Sequence, residues 1–158
     1  MKGHLSQDTP LAVPASLVWD TYSSVELLRL ITELLGDVLG TAEAIEGDGG
    51  VGTIVKATFP PGTPGSGYSK EIVRVLDHEK RLKESEIIEG WMKDFGFDQY
   101  ICRFEVIEKD AESSILRSSI EYELDDSKKE LASFATTQPL ALIAETVGKY
   151  LAQNKSSQ

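Results

Sequence analysis

The chain has 158 residues, 41% apolar and 27% charged, with a formal net charge of −10 and an isoelectric point near 4.7. That length fits one domain, residues 1–158, able to bury about 70% of its unfolded surface, and the acidic balance argues against nucleic acid or an anionic membrane as partner while favouring cationic small molecules. Cys102 is the only cysteine, which excludes an internal disulfide and argues against structural zinc.

Residues 1–8 carry no hydrophobic segment of the signal-peptide kind, and the apolar runs are too short to span a bilayer, so a cytoplasmic protein is expected. Residues 3 to 13 have the length of an edge strand, where Pro10, lacking an N–H, is tolerated. From Pro14 the period changes. Trp19 and Tyr22 can share a helical face, and Leu27, Leu30, Ile31, Leu34 and Leu35 match the i, i+3, i+4, i+7, i+8 stripe. Two short helices, broken near Ser23-Ser24, are predicted.

From Leu39 onward the period is two. Turn residues recur at 47–52, 60–67, 77–80, 89–94 and 108–113, which predicts six further strands in an antiparallel meander. Between Glu46 and Thr53 lie Gly47, Gly49, Gly50 and Gly52. Gly47 and Gly52 followed by Thr53 have the outer spacing of a phosphate-binding loop, but no lysine precedes the threonine and β-branched residues follow it, so a hairpin turn is expected. Tyr100, Cys102, Phe104 and Val106 share one strand face, opposed to Gln99, Arg103 and Glu105; Leu116, Ile120, Tyr122 and Leu124 do the same in the next strand.

What covers that face is the last element. Leu131 and Phe134, then Ile143, Val147, Tyr150 and Leu151 beyond Pro139, read as the apolar stripe of a long kinked helix, with Lys149 and Lys155 suited to its C-terminus. The predicted class is α+β, a curved antiparallel sheet wrapped on one helix, an arrangement that can enclose a cavity.

Read from the residues alone, Glu71 and Lys83 lie on strands that should pair and form a surface ion pair worth about 0–1 kcal/mol. Tyr68 reads as an exposed turn aromatic, His4 and His78 as surface residues, and Cys102 as a small buried hydrophobe. Trp91 and Phe95 fit either a cavity entrance or core packing. No Ser/His/Asp or Cys/His set is present.

The order of elements, the turn Glu46 to Thr53, the segment Asp77-His78-Glu79-Lys80-Arg81-Leu82-Lys83-Glu84 and the segment Ala135-Thr136-Thr137-Gln138-Pro139-Leu140 resemble the Bet v I-type plant family, pathogenesis-related class ten, and within it the norcoclaurine synthase and norbelladine synthase branch. The resemblance covers nearly the whole chain. It implies a helix-grip fold: a seven-stranded curved antiparallel sheet around a long C-terminal helix, two short helices after the first strand, and a hydrophobic cavity.

For this branch the resemblance implies condensation of a phenolic arylethylamine with an aromatic aldehyde, with Lys83, Glu71 and Tyr68 in catalytic positions. Tyr100, Cys102, Phe104, Ile143 and Asp98 are the expected substrate contacts. Imine formation requires neither a metal nor a redox cofactor, and none is expected; the partners are the small amine and aldehyde, with the chain a monomer or weak dimer. Two departures stand out. Cys102 replaces a catalytic aspartate of norcoclaurine synthase, which implies imine condensation with weaker cyclisation, and Asp98 is a candidate substitute acid at the mouth. Tyr68 and Glu71 are separated by two residues rather than one, so a bulge or loop end is expected to turn Tyr68 inward. The competing reading is a non-catalytic carrier or store for a hydrophobic plant hormone or phenolic. Ribonuclease activity is opposed by the acidic charge and the lack of a histidine pair.

Overall fold

In the computed structural model, which describes residues 1–154, the elements run β1 (Lys2–Leu11), α1 (Ala15–Tyr22), α2 (Glu26–Leu39), β2 (Thr41–Glu46), β3 (Ile54–Thr58), β4 (Tyr68–Asp77), β5 (Leu82–Gly90), α3 (Trp91–Phe95), β6 (Phe97–Asp110), β7 (Ser113–Leu124) and α4 (Gln138–Asn154). The strands form one seven-stranded antiparallel sheet in the order β1-β7-β6-β5-β4-β3-β2. The meander from β2 to β7 is as predicted, and β1 returns to pair with β7, which puts Pro10 on an edge strand.

Alternation decides which face is covered. Tyr100, Cys102 and Val106 on β6, with Leu116, Ile120 and Leu124 on β7, are buried against α1, α4 and the segments around them, while Arg103 and Arg117 stand outside in ion pairs with Glu84, Glu121 and Asp8. At the junction of β1 and α1, Ser114 Oγ donates to the Val13 carbonyl at 2.8 Å, tying the strand-to-helix corner to β7. Ala144, Val147 and Leu151 of α4 join Val13, Val18 and Leu30 in the main core.

Three local outcomes differ from the sequence reading. The segment at 89–94 contains the short helix α3 rather than a plain turn. The long kinked helix is two pieces: a 3-10 segment Asp126–Phe134, extended backbone at Ala135 (φ −73°, ψ 123°), and α4, whose second residue is Pro139. Proline needs no N–H partner in a first helical turn, so it starts α4 instead of kinking it. On α2, Leu27, Leu30 and Leu35 are buried but Leu34 is 40% exposed. Lys155 lies outside the described residues.

The glycine cluster is a hairpin turn between β2 and β3. Thr53 Oγ1 accepts the Gly49 N–H at 2.8 Å, so the hydroxyl that a phosphate loop would present is used inside the turn. Gly47 has φ +85°, and a Cβ there would stand 2.6 Å from Thr53 Oγ1. Gly90, where β5 becomes α3, has φ +96°, and its Cβ would meet the Tyr68 carbonyl oxygen at 2.3 Å. Gly90→Ala is therefore expected to cost at least about 2 kcal/mol. A thermal melt should show a midpoint lowered by about 5 °C or more; an unchanged midpoint would contradict the close approach.

Candidate active site

A cavity of about 340 Å³ lies between the concave face of the sheet and α2 and α4, within the size range of small-molecule sites. Its walls are mostly apolar: Leu28 and Ile31 from α2, Val55 and Ala57 from β3, Phe59, Trp91 and Phe104, and Leu140 and Ile143 from α4. The exposed lining residues Val38 and Pro139 mark its mouth. Its polar groups are few, chiefly Glu71 on β4, Lys83 and Ser85 on β5, and Cys102 on β6.

Two bulges set the register of those groups. Ile88 is the extra residue on β5 between the pairs Lys70–Glu89 and Glu71–Ile87; Arg74 is the extra residue on β4 between Val73–Ser85 and Val75–Glu84. Each bulge moves one strand by a residue, which exchanges its inner and outer faces beyond that point. Glu71 and Val73 face inward opposite Ile87 and Ser85, and Leu76 takes the inner place opposite Lys83. Glu71 and Lys83 thus look into one cavity from adjacent strands, with the Val73–Ser85 pair between them.

Lys83 is 8% exposed, and its Nζ donates to the Tyr22 carbonyl at 2.9 Å. Tyr22 ends α1, where carbonyls have no helical partner and the helix dipole favours a cation. Trp19 Nε1, one turn earlier, donates to His78 Nδ1 at 3.1 Å in the β4–β5 turn, and so seats α1 on the hairpin carrying both charged residues. Glu71 is half-buried by accessible surface, has protein packed around its carboxyl, and lines the cavity.

Burial raises the Glu71 carboxyl above its ordinary 4.5, opposed by the positive charge of Lys83. Burial lowers the Lys83 ammonium below 10.5, opposed by Glu71. The ion pairs among the described residues include neither group. The surface ion pair expected from the residues alone is therefore replaced by two enclosed charges held apart. Taking such ions out of water costs several kcal/mol each, and perturbed, unpaired charges facing a cavity are the usual mark of a functional site.

The other expected site residues divide. Cys102, Phe104 and Ile143 line the cavity. Burial, then the charge of Glu71, pushes the Cys102 thiol up, so it stays protonated and is no nucleophile. Tyr68 does not turn inward: its hydroxyl donates to Glu89 Oε2 at 2.8 Å and Lys56 Nζ sits 5.4 Å from its ring centroid, both on the outer side. A bulge is present, but on β5 at Ile88, and β4 alternates regularly from Tyr68 to Glu71.

Asp98 is exposed because it is itself the extra residue of a bulge between Phe97 and Gln99. The inner place falls to Phe97, 2% exposed, and Asp98 cannot serve as an acid at the mouth. Tyr100 is packed edge-on against Phe97 at 5.3 Å, in the same cluster as Cys102 but behind the wall, and does not line the cavity. Trp91 does line it, while Phe95 packs behind it, between Trp91 and Phe134.

The chain belongs to the pathogenesis-related protein Bet v 1 family, whose sequence model matches residues 1–154. Among individual relatives, norbelladine synthase of Narcissus pseudonarcissus is 45% identical over 157 residues, covering 99% of this chain and 96% of that protein. S-norcoclaurine synthase 2 of Papaver somniferum is 35% identical, covering 98% and 68%. Among solved structures, norcoclaurine synthase from Thalictrum flavum in complex with dopamine and hydroxybenzaldehyde matches with a TM-score of 0.86 at 32% identity, over 97% of this chain and 88% of that one. A point mutant of that enzyme with a transition-state analogue gives 0.89 over 98% and 97%. Among the described residues no helix is long and apolar enough to cross a membrane.

Proposed function

We propose that this protein condenses a phenolic arylethylamine, tyramine or dopamine, with an aromatic aldehyde to give an imine. The observation that carries the reading is the pair Glu71 and Lys83, both enclosed, both facing one apolar cavity, and not closed on each other. The resemblance to norbelladine and norcoclaurine synthases supports the substrate class.

The chemistry suits these groups. An arylethylamine arrives as an ammonium ion, and the Glu71 carboxylate takes a proton from it to free the nitrogen lone pair. That nitrogen attacks the carbonyl carbon, forming the C–N bond and, after proton transfer, a carbinolamine. Lys83 polarises the carbonyl oxygen during attack and then protonates the hydroxyl, which departs as water while the nitrogen lone pair forms the C=N bond of an iminium ion. The neutral Lys83 amine takes back the iminium N–H proton to leave the imine, and Glu71 returns its proton to solvent. The apolar walls hold both rings, and placing the two reactants side by side can remove several kcal/mol from the barrier. Tyr68, outside, has no part in these steps; its contacts with Glu89 on β5 and Lys56 on β3 tie down the first residue of β4.

The test is to incubate purified protein with tyramine or dopamine and either 3,4-dihydroxybenzaldehyde or 4-hydroxyphenylacetaldehyde, and to follow products by chiral chromatography and mass spectrometry. Product above boiled protein is expected; rates equal to that control with every pair would replace the reading by ligand carriage. Cyclisation is expected to be weak, because ring closure must remove a proton from the attacking ring carbon and the protonated Cys102 thiol is a poor base. Cys102→Asp should increase the share and enantiomeric excess of tetrahydroisoquinoline from dopamine and 4-hydroxyphenylacetaldehyde. No gain in a folded variant would sink that assignment.

A further inference from the structure

Ser85 has no role so far. It lies on β5 between Lys83 and Ile87, with Val73 opposite on one side and Cys102 on the other. It is 2% exposed and lines the cavity. Other serines on this sheet have found partners: Ser114 donates to the Val13 carbonyl, and Ser119 pairs with Ser6. Ser85 Oγ has no hydrogen bond among the described residues, yet it is not one of the sealed, partnerless polar atoms, which are the Tyr22 hydroxyl, the Trp91 indole nitrogen and the Ser118 hydroxyl. Tyr22 and Trp91 also line the cavity, but their polar atoms are sealed, whereas the Ser85 hydroxyl is not.

Its place along the strand gives this meaning. Lys83 is two residues away on the same face, and Glu71 stands opposite Ile87, two residues the other way. The new C–N bond must form within reach of both, which is over the row Val73–Ser85–Cys102. A hydroxyl there can donate to a carbonyl oxygen and can accept from a carbinolamine hydroxyl; neither Val73 nor the weakly donating thiol of Cys102 competes for it.

We infer that Ser85 is a third catalytic residue, whose hydroxyl binds the oxygen of the reacting carbonyl and of the carbinolamine between Glu71 and Lys83. Ser85 keeps its own proton overall. It orients the oxygen toward the Lys83 ammonium, and when the C–O bond breaks the proton delivered to the departing hydroxyl is that of Lys83. This assignment rests on the condensation reading above.

The experiment measures kcat and KM for imine formation by wild type, Ser85→Ala and Ser85→Cys. It also measures inhibition by a 1,4-diarylbutan-1-ol, in which CH2 replaces the carbinolamine nitrogen, and by the matching 1,4-diarylbutane. Ser85→Ala is expected to lower kcat about tenfold with KM little changed, in line with one lost hydrogen bond to a buried group, and Ser85→Cys to lie between. Wild type should bind the alcohol several-fold more tightly than the alkane, and Ser85→Ala should erase that preference. Equal kcat in Ser85→Ala, or equal weakening toward both inhibitors, overturns the assignment while leaving condensation intact. No turnover by wild type overturns the condensation reading and this inference with it.

Discussion

Lys83→Met should eliminate condensation above the spontaneous rate, a loss of about 10²–10⁴-fold as expected for removing a general acid, in a protein that still folds. Methionine fills the space of the lysine stem and carries no charge into the interior. The native environment already disfavours the ammonium, since burial lowers its pKa. Against that relief stand one lost hydrogen bond to the Tyr22 carbonyl and the lost attraction between Lys83 and Glu71, so the net change in stability is expected to lie within about 2 kcal/mol of zero. Rates and a thermal melt on the same preparation check both halves. A variant that is stable and fully active would remove Lys83 from the mechanism, and one that unfolds would make it a structural residue.

The pH dependence of turnover should be a bell narrower on both sides than free side chains would give. The reaction needs Glu71 ionised and Lys83 protonated. Burial moves the first above 4.5 and the second below 10.5, so the acid limb lies higher and the alkaline limb lower than those values. Glu71→Gln should remove the acid limb assigned to the carboxylate and lower kcat by about 10–10²-fold. An acid limb that survives unchanged in Glu71→Gln would assign it to another group.

Stability follows with its own sign. Glu71 has a raised native pKa, so the folded state holds its proton more tightly than the unfolded chain; the penalty is absent below 4.5, grows as pH rises from there to the native value, and is full above it. Lys83 has a lowered native pKa, so its penalty is full below that value and fades as pH rises toward and past 10.5. Glu71→Gln should therefore flatten the loss of stability that begins above pH 4.5.

The sequence carried the order of elements and the covered face of β6 and β7 well, because alternation there is uninterrupted: Cys102, Val106, Leu116, Ile120 and Leu124 are where period two puts them. It carried the site less well, and the reason is the bulges. A bulge leaves no mark in the hydrophobic pattern, yet it exchanges inside for outside, and Asp98 was misplaced on that account. On β5 the difficulty was different. Lys83, Ser85 and Ile87 do alternate with Glu84 and Glu86, but two of the three inward residues are polar, so an apolar-face criterion found nothing to follow. The unpartnered hydroxyl of Ser85 needs coordinates to be seen at all.

The bond from Lys83 to the Tyr22 carbonyl spans 61 residues of chain. It makes the docking of the first helix and the arming of the acid a single event. While α1 is seated, the ammonium is leashed away from the carboxylate and the space between them is free for guests. Without that contact, the Lys83 ammonium would lose the carbonyl that holds it beside α1. Because Tyr22 also lines the cavity and Val18 and Trp19 sit in the core, the seating of one short helix bears on the acid, the pocket wall and the core at once.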